Sequence, residues 1–243
     1  MFEGKHYWLI GASEGLGRAL AQALSHEGAE ITVSARNGEK LNELASSLQN
    51  CHVLPIDVTD DACTQIAAQN ASQFDGVIYL AGAYDPLHAQ DWDQLKIMQM
   101  FDVNLMGAVR TLGPMVESFT ARDQGHIVII GSLAGFQGLP KAMGYGASKA
   151  GLMHFGETLY ADLRRTGVKV QNINPGFVKT RLTDKNNFNM PQVMTPEDAA
   201  LRVIKAMKSD RFSTSFPWPF SWLFTLGKFL PYRWFLKLMP SSS

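Results

Sequence analysis

The chain is short of several things that define whole classes of protein. It has two cysteines in 243 residues, Cys51 and Cys63, too few for a disulfide framework and at no metal-ligand spacing. A reducing compartment fits. Twenty-two Lys and Arg face twenty-two Asp and Glu, so no whole-molecule field draws the protein to nucleic acid or to an acidic surface. The opening residues, MFEGKHYWLIGAS, lack the apolar length and cleavage site of a secretory leader. The expected location is therefore cytoplasmic. None of the six histidines makes a metal pair; His88, His126 and His154 read as structural or solvated, and no metal is expected. There is no internal repeat and no low-complexity linker. One last absence is local: no acidic residue follows Asp210.

What is present belongs to a globular protein, with 46% hydrophobic and 18% charged residues and length for one large α/β domain or two small ones. Short apolar runs at 6–10, 30–35, 52–56, 76–81, 126–131 and 168–173 read as strands. Several are continuously apolar, as expected of parallel strands covered on both faces. Helical patterns lie between them at 17–27, 39–48, 62–71, 91–121 and 144–166, with a further helix at 196–208. Gly113-Pro114 should bend or divide the long fourth one. This alternation predicts right-handed crossovers and a Rossmann-type doubly wound parallel sheet of about seven strands, with helices on both faces.

The first strand runs into IGASEGLGRAL, with glycines at 11, 15 and 17. Glycines are needed where a strand-to-helix turn bends tightly or lets a phosphate approach the backbone. The helix that follows offers free N–H groups to a pyrophosphate. The turn therefore predicts dinucleotide binding. An acid at the end of the second strand would hold the ribose hydroxyls of NAD. Here the sequence is Ser34-Ala35-Arg36-Asn37, and a guanidinium can grip a 2′-phosphate with paired hydrogen bonds. NADP(H) is the expected cofactor. Glu14, inside the loop, argues mildly against it.

Residues 145–150 read YGASKA. Four residues apart on a helix, Tyr145 and Lys149 share a face, and an ammonium beside a phenol lowers the cost of moving its proton.

Together these features resemble the short-chain dehydrogenase/reductase family, over about residues 5 to 215. Its glycine motif matches Gly11, Gly15 and Gly17, with Ile10 in place of the usual threonine. Its adenine-side pair matches Asp57-Val58, its helix asparagine Asn104, and its active-site serine Ser132, thirteen residues before Tyr145. Its proline–glycine turn matches NPGFVKT, ending at Thr180. Where the family has Asn-Asn-Ala-Gly, this chain has Tyr79-Leu80-Ala81-Gly82; a buried Tyr79 hydroxyl would need a partner.

The resemblance implies four catalytic residues. Tyr145 would be the general acid for a carbonyl oxygen, or base in reverse. Lys149 would lower the tyrosine's pKa and bind the nicotinamide ribose. Ser132 would polarise the carbonyl, and Asn104 would hold a water linking Lys149 to solvent. Cofactor contacts would come from Gly11, Ser13, Gly15, Leu16, Gly17, Ser34, Arg36, Asp57, Val58, Ala81, Gly82, Asn104, Tyr145, Lys149, Pro175, Gly176, Val178 and Thr180. Substrate contacts are expected from Tyr84, Leu133, Phe136, Leu139, Met143, Phe177 and Met190, a mostly apolar set that suits a small apolar carbonyl or alcohol. The expected activity is NADP(H)-dependent interconversion of the two. The alternative is a catalytically silent NADP(H)-binding sensor, or a membrane- or partner-docking protein on the same fold.

The first 217 residues would form the catalytic domain and 218–243 an added helical tail. From Arg211 onward there are four basic residues and no acidic one. Lys228, Pro231 and Arg233 interrupt its apolar run, which argues against a membrane span and for two short amphipathic helices broken at Pro231. Such a tail could cover the cleft, join a homodimer or lie peripherally on a membrane. A dimer through the helices from Asp91 and Gly144 is the family's usual association.

Overall fold

A computed structural model describes residues 1–186, 188 and 190–238. Strand and helix alternate as β1 His6–Ile10, α1 Gly15–His26, β2 Glu30–Ser34, α2 Gly38–Ser46, β3 Cys51–Val53, α3 Ala62–Asn70, β4 Gly76–Tyr79, α4 Gln94–Phe101, α5 Gly107–Ala121, β5 Gly125–Ile130, α6 Met143–Leu163, β6 Val168–Pro175, α7 Pro196–Met207 and β7 Ser213–Phe216. Two short helices, α8 Phe220–Thr225 and α9 Tyr232–Leu238, follow. All seven strands are parallel, in the order β3-β2-β1-β4-β5-β6-β7. The order reverses between β1 and β4, and such a switch point opens a crevice at the carboxyl ends of the strands.

Period-two alternation sends each strand's residues into two cores. Tyr7, Leu9, Ile78, Val128 and Ile173 pack under α1, α2 and α7. Trp8, Ile10, Val77, Tyr79, Ile127 and Ile129 pack under α3, α5 and α6. The expected doubly wound sheet is therefore what forms. Its first and last members escape simple reading. β3 stops at Val53, short of Pro55, which has no N–H to give the ladder. β7 is only four residues long, partly polar, and was not identified in the sequence.

The long helical stretch divides, but not at Pro114, which lies inside an unbroken α5. The change of ladder falls at Asp102–Met106, a π-helical segment between α4 and α5. A widened turn of this kind redirects side chains and recurs at functional sites. It carries Asn104. It also meets the unusual Tyr79, whose fully buried hydroxyl donates to the Val103 carbonyl, so the departure from Asn-Asn leaves no orphaned polar group there.

Candidate active site

Two openings meet at the carboxyl ends of the strands. The larger is a groove of about 980 Å³ that runs from the glycine turn past β2, β4 and β5 to β6. The smaller is an apolar chamber of about 150 Å³ beside α6. Their shared wall consists of Ser132, Tyr145, Gly176, Leu182 and Thr183. The Thr183 hydroxyl is spent on the Val178 and Thr180 carbonyls. That leaves Ser132 and Tyr145 as the two hydroxyls facing both spaces.

The groove's first end depends on glycine. Gly11 has φ +103°, and a Cβ there would sit 2.6 Å from the Ala81 nitrogen. A Cβ on Gly17 would collide with the Gly11 carbonyl. These contacts let β1, β4 and the start of α1 close together, leaving backbone at the floor of the groove. Cations gather at its rim beside β2. Arg36 is exposed and makes no hydrogen bond or ion pair among the described residues. Two cations the sequence reading did not single out, Lys40 and Arg181, bind Glu14 at 3.0 and 2.7 Å. Burial would raise the Glu14 carboxyl, but these two hydrogen-bonded cations bring it below its ordinary value. Its charge is thus neutralised locally, and the objection it posed to a phosphate is removed. Lys40 could have been found from its place in the first turn of α2; Arg181 comes from a distant loop and could not.

Family comparison agrees with the geometry. The model of the short chain dehydrogenase family matches residues 5–190. The chain belongs to the short-chain dehydrogenase/reductase family. An uncharacterized oxidoreductase of Myxococcus xanthus is 37% identical over 231 residues, covering 92% of this chain and 91% of that protein. One of Staphylococcus aureus is 33% identical over 205 residues, covering 82% and 89%. A short chain dehydrogenase of Burkholderia cenocepacia solved in complex with NADP has the same fold, at TM-score 0.87 and 22% identity, covering 99% of this chain and all of that one, 100%.

Sixteen of the eighteen expected cofactor contacts of this short-chain dehydrogenase line the groove. Ser34 and Asn104 do not. Ser34 is fully buried, where its hydroxyl accepts from the Trp8 indole at 2.7 Å and donates to the Leu54 carbonyl. Asn104 is fully buried as well; its Oδ1 accepts from Ala83 N at 2.7 Å, and its Nδ2 donates to Ala83 O at 3.0 Å and Ser148 Oγ at 2.9 Å. In this geometry it ties the loop after β4 to α6 rather than touching the reaction space.

Tyr145 and Lys149 do lie one turn apart on α6, both against the groove. The expected depression of Tyr145 is not what the site gives. Burial raises its pKa, with the Ser132 side chain acting in the opposite direction. Lys149 instead donates a hydrogen bond to the Ile130 carbonyl at 2.9 Å, and burial pushes its pKa down to about 8. The Ser132 hydroxyl accepts from Ala134 N at 3.1 Å, which leaves its own proton to give.

The chamber takes Tyr84, Leu133, Leu139 and Phe177 from the expected substrate contacts. Phe136 packs instead in the cluster beneath the tail, Met143 does not line the chamber, and Met190 accepts a hydrogen bond from Asn186 at 3.2 Å. Three unforeseen rings complete the wall: Phe188, Phe220 and Phe224. The last two belong to α8, so the tail's inner side closes the chamber. Tyr84 meets the Tyr145 ring edge-on at 5.0 Å and donates to Asn186 Oδ1 at 2.7 Å. Lys185 bonds Asp85 and the Tyr84 carbonyl, both at 2.7 Å. These bonds fasten the loop after β6 to the loop after β4.

Proposed function

We propose that this oxidoreductase is an NADP(H)-dependent carbonyl reductase or alcohol dehydrogenase acting on a small apolar substrate. One observation carries the reading: the Ser132 and Tyr145 hydroxyls stand where a long groove that begins at the glycine turn meets a smaller apolar chamber. The groove fits a dinucleotide at the glycine turn, where a Cβ at Gly11 or Gly17 would strike the Ala81 nitrogen or the Gly11 carbonyl and force apart the backbone that brings the start of α1 to the groove. Arg36 at the rim supports a 2′-phosphate, with Lys40 close by. When bound, the cofactor supplies hydride to a carbonyl carbon, or takes it up from an alcohol.

The chain's own residues handle the oxygen. As the C=O bond becomes C–O, Ser132 donates a hydrogen bond to the oxygen and Tyr145 transfers its phenolic proton, leaving an alcohol and a phenolate. Burial suits Tyr145 to hold that proton until it is needed. Lys149, still largely protonated at neutral pH, favours the phenolate that remains. Asn104 acts as a positioning residue by fixing Ala83 and α6. The chamber's apolar wall lowers the local dielectric around the developing charge, which strengthens both hydrogen bonds.

Two copies pairing through the helices that follow Asp91 and Gly144, which are α4 with α5 and α6, would give a homodimer. Trp92, Leu95, Met98, Met106 and Val109, in and beside α4 and α5, are exposed and support that association. The function is tested by following nicotinamide absorbance with a panel of ketones, aldehydes and alcohols under NADPH or NADP⁺. Apolar carbonyls should turn over. A protein that binds NADPH and turns over none of them would instead be a silent sensor.

A further inference from the structure

The tail presents a second apolar face, on its outer side. Eight of the seventeen large hydrophobic residues found exposed among the described residues lie within 218–238. Five are aromatic: Trp218, Trp222, Phe229, Tyr232 and Trp234, each 53% exposed or more. They are not loose. Phe224 and Phe235 are buried at 2% and 0%, in a cluster with Leu133, and Tyr232 donates to the Gly138 carbonyl at 3.1 Å. Packing of the inner side thus pins α8 and α9 and holds the outer rings in water. Trp218 and Trp222 meet edge to face at 6.1 Å, and so many exposed rings within one short segment mark an interaction surface.

Charge narrows the choice of partner. Lys228, Arg233 and Lys237 are exposed among the rings and form no ion pair with any described residue. All twenty-two acidic residues precede Arg211, whereas only eighteen of the twenty-two cations do. The body is therefore net acidic and the tail wholly basic. A two-fold interface sets the same patch against itself, so a tail-to-tail dimer would oppose these cations with no carboxylate to offset them. An anionic surface attracts the tail, repels the body and so fixes one orientation. Among the described residues no helix is long and apolar enough to cross a membrane. Short helices with aromatic rings and interspersed cations suit the headgroup layer, where the rings bury and the long cationic side chains reach lipid phosphate.

We propose that the outer face of α8 and α9 docks this protein onto the surface of an anionic lipid bilayer. Docking of this kind does not depend on the reaction. A consequence of it does rest on the carbonyl-reductase reading: Phe220 and Phe224, on the other side of α8, wall the chamber, so an apolar substrate dissolved in the bilayer would reach Tyr145 from beneath the docked tail.

The test is flotation of the full chain with phosphatidylcholine vesicles, with and without phosphatidylglycerol. The protein should float with the anionic vesicles at low salt and come off near 1 M salt, where the Debye length is about 3 Å. Its tryptophan emission should shift to the blue on binding. The triple variant Lys228→Gln, Arg233→Gln, Lys237→Gln should lose roughly a hundredfold in partitioning. A Trp218→Ser, Trp222→Ser, Phe229→Ser variant should also fail to float while keeping its melting temperature, since these side chains are exposed. If the folded full chain stays with the buffer at low salt, the proposal falls. It falls equally if the ring variant turns a dimer into a monomer in sedimentation velocity and anionic vesicles bind neither form. Turnover of a water-soluble aldehyde, measured on the same samples, reports on the reaction separately.

Discussion

The groove and the chamber share a wall, yet they are built from different materials. The groove's first end is set by glycines at 11, 15 and 17, where a Cβ would strike Ala81, Thr180 or the Gly11 carbonyl. The chamber is made of side chains from four separated segments: the loop after β4, the turn after β5, the loop after β6 and the tail. A backbone site is set by the few residue types a turn tolerates, so it is specified locally. A side-chain site depends on which distant rings happen to meet, so it can change its occupant without disturbing the fold. Substitutions on the two sides should therefore separate cofactor effects from substrate effects, and those on the wall should touch neither affinity.

The largest effect is expected on the wall itself. Tyr145→Phe removes the transferable proton and keeps the ring, so kcat should drop roughly a thousandfold while NADPH affinity stays within about twofold. Retention of most of the wild-type kcat on a good substrate would remove Tyr145 from the acid's role.

Lys149 comes next, through stability. Its pKa is about 8 in the fold against 10.5 unfolded. Between those values the unfolded chain holds more protons, so stability rises with pH across the window, and the burial penalty at neutral pH is about 3 kcal/mol. Lys149→Met should therefore gain on the wild type at pH 7, and its advantage in urea midpoint should shrink from pH 8 to 10. Stopping there avoids the buried tyrosines, whose raised pKa values oppose the trend above their ordinary 10.0. A pH-independent difference would mean that Lys149 is not a buried titrating ammonium.

On the groove side, Arg36→Asp removes a charge-assisted grip and should cost roughly ten- to a hundredfold in NADPH affinity, with NADH little changed. Isothermal titration with both cofactors decides it; equal wild-type affinities would remove Arg36 from the specificity.

The smallest effect belongs to the chamber. Phe220→Ala should raise KM for a bulky apolar ketone about tenfold and leave a small aldehyde and NADPH nearly unaffected. A matching loss of NADPH affinity would show that the two spaces are coupled rather than merely adjacent.

Much of the fold was legible in the residues. Strands at 6–10, 76–81 and 126–131 announce themselves as continuous apolar runs, and β1, β4 and β5 lie within a residue or two of them. The break in the long helix was misplaced because Pro114 advertises a break in sequence, whereas a π-helical turn at Asp102–Met106 has no composition of its own. Ser34 misses the groove because a strand's last residue can face either way, and this one meets the Trp8 indole.

By itself the sequence determined the parallel sheet, the glycine cradle and the placement of Tyr145 and Lys149 on one helix face, because each follows from local backbone geometry and short-range periodicity. Only the tertiary structure decided that Glu14 would be neutralised by Lys40 and Arg181, that Asn104 would spend its amide on Ala83 and Ser148, and that burial would raise Tyr145. It also decided that Phe220 and Phe224 would close the chamber while Trp222 faces outward. These outcomes turn on which groups from distant segments meet and how much water they exclude, and a pKa or a pocket wall exists only once those partners are in place.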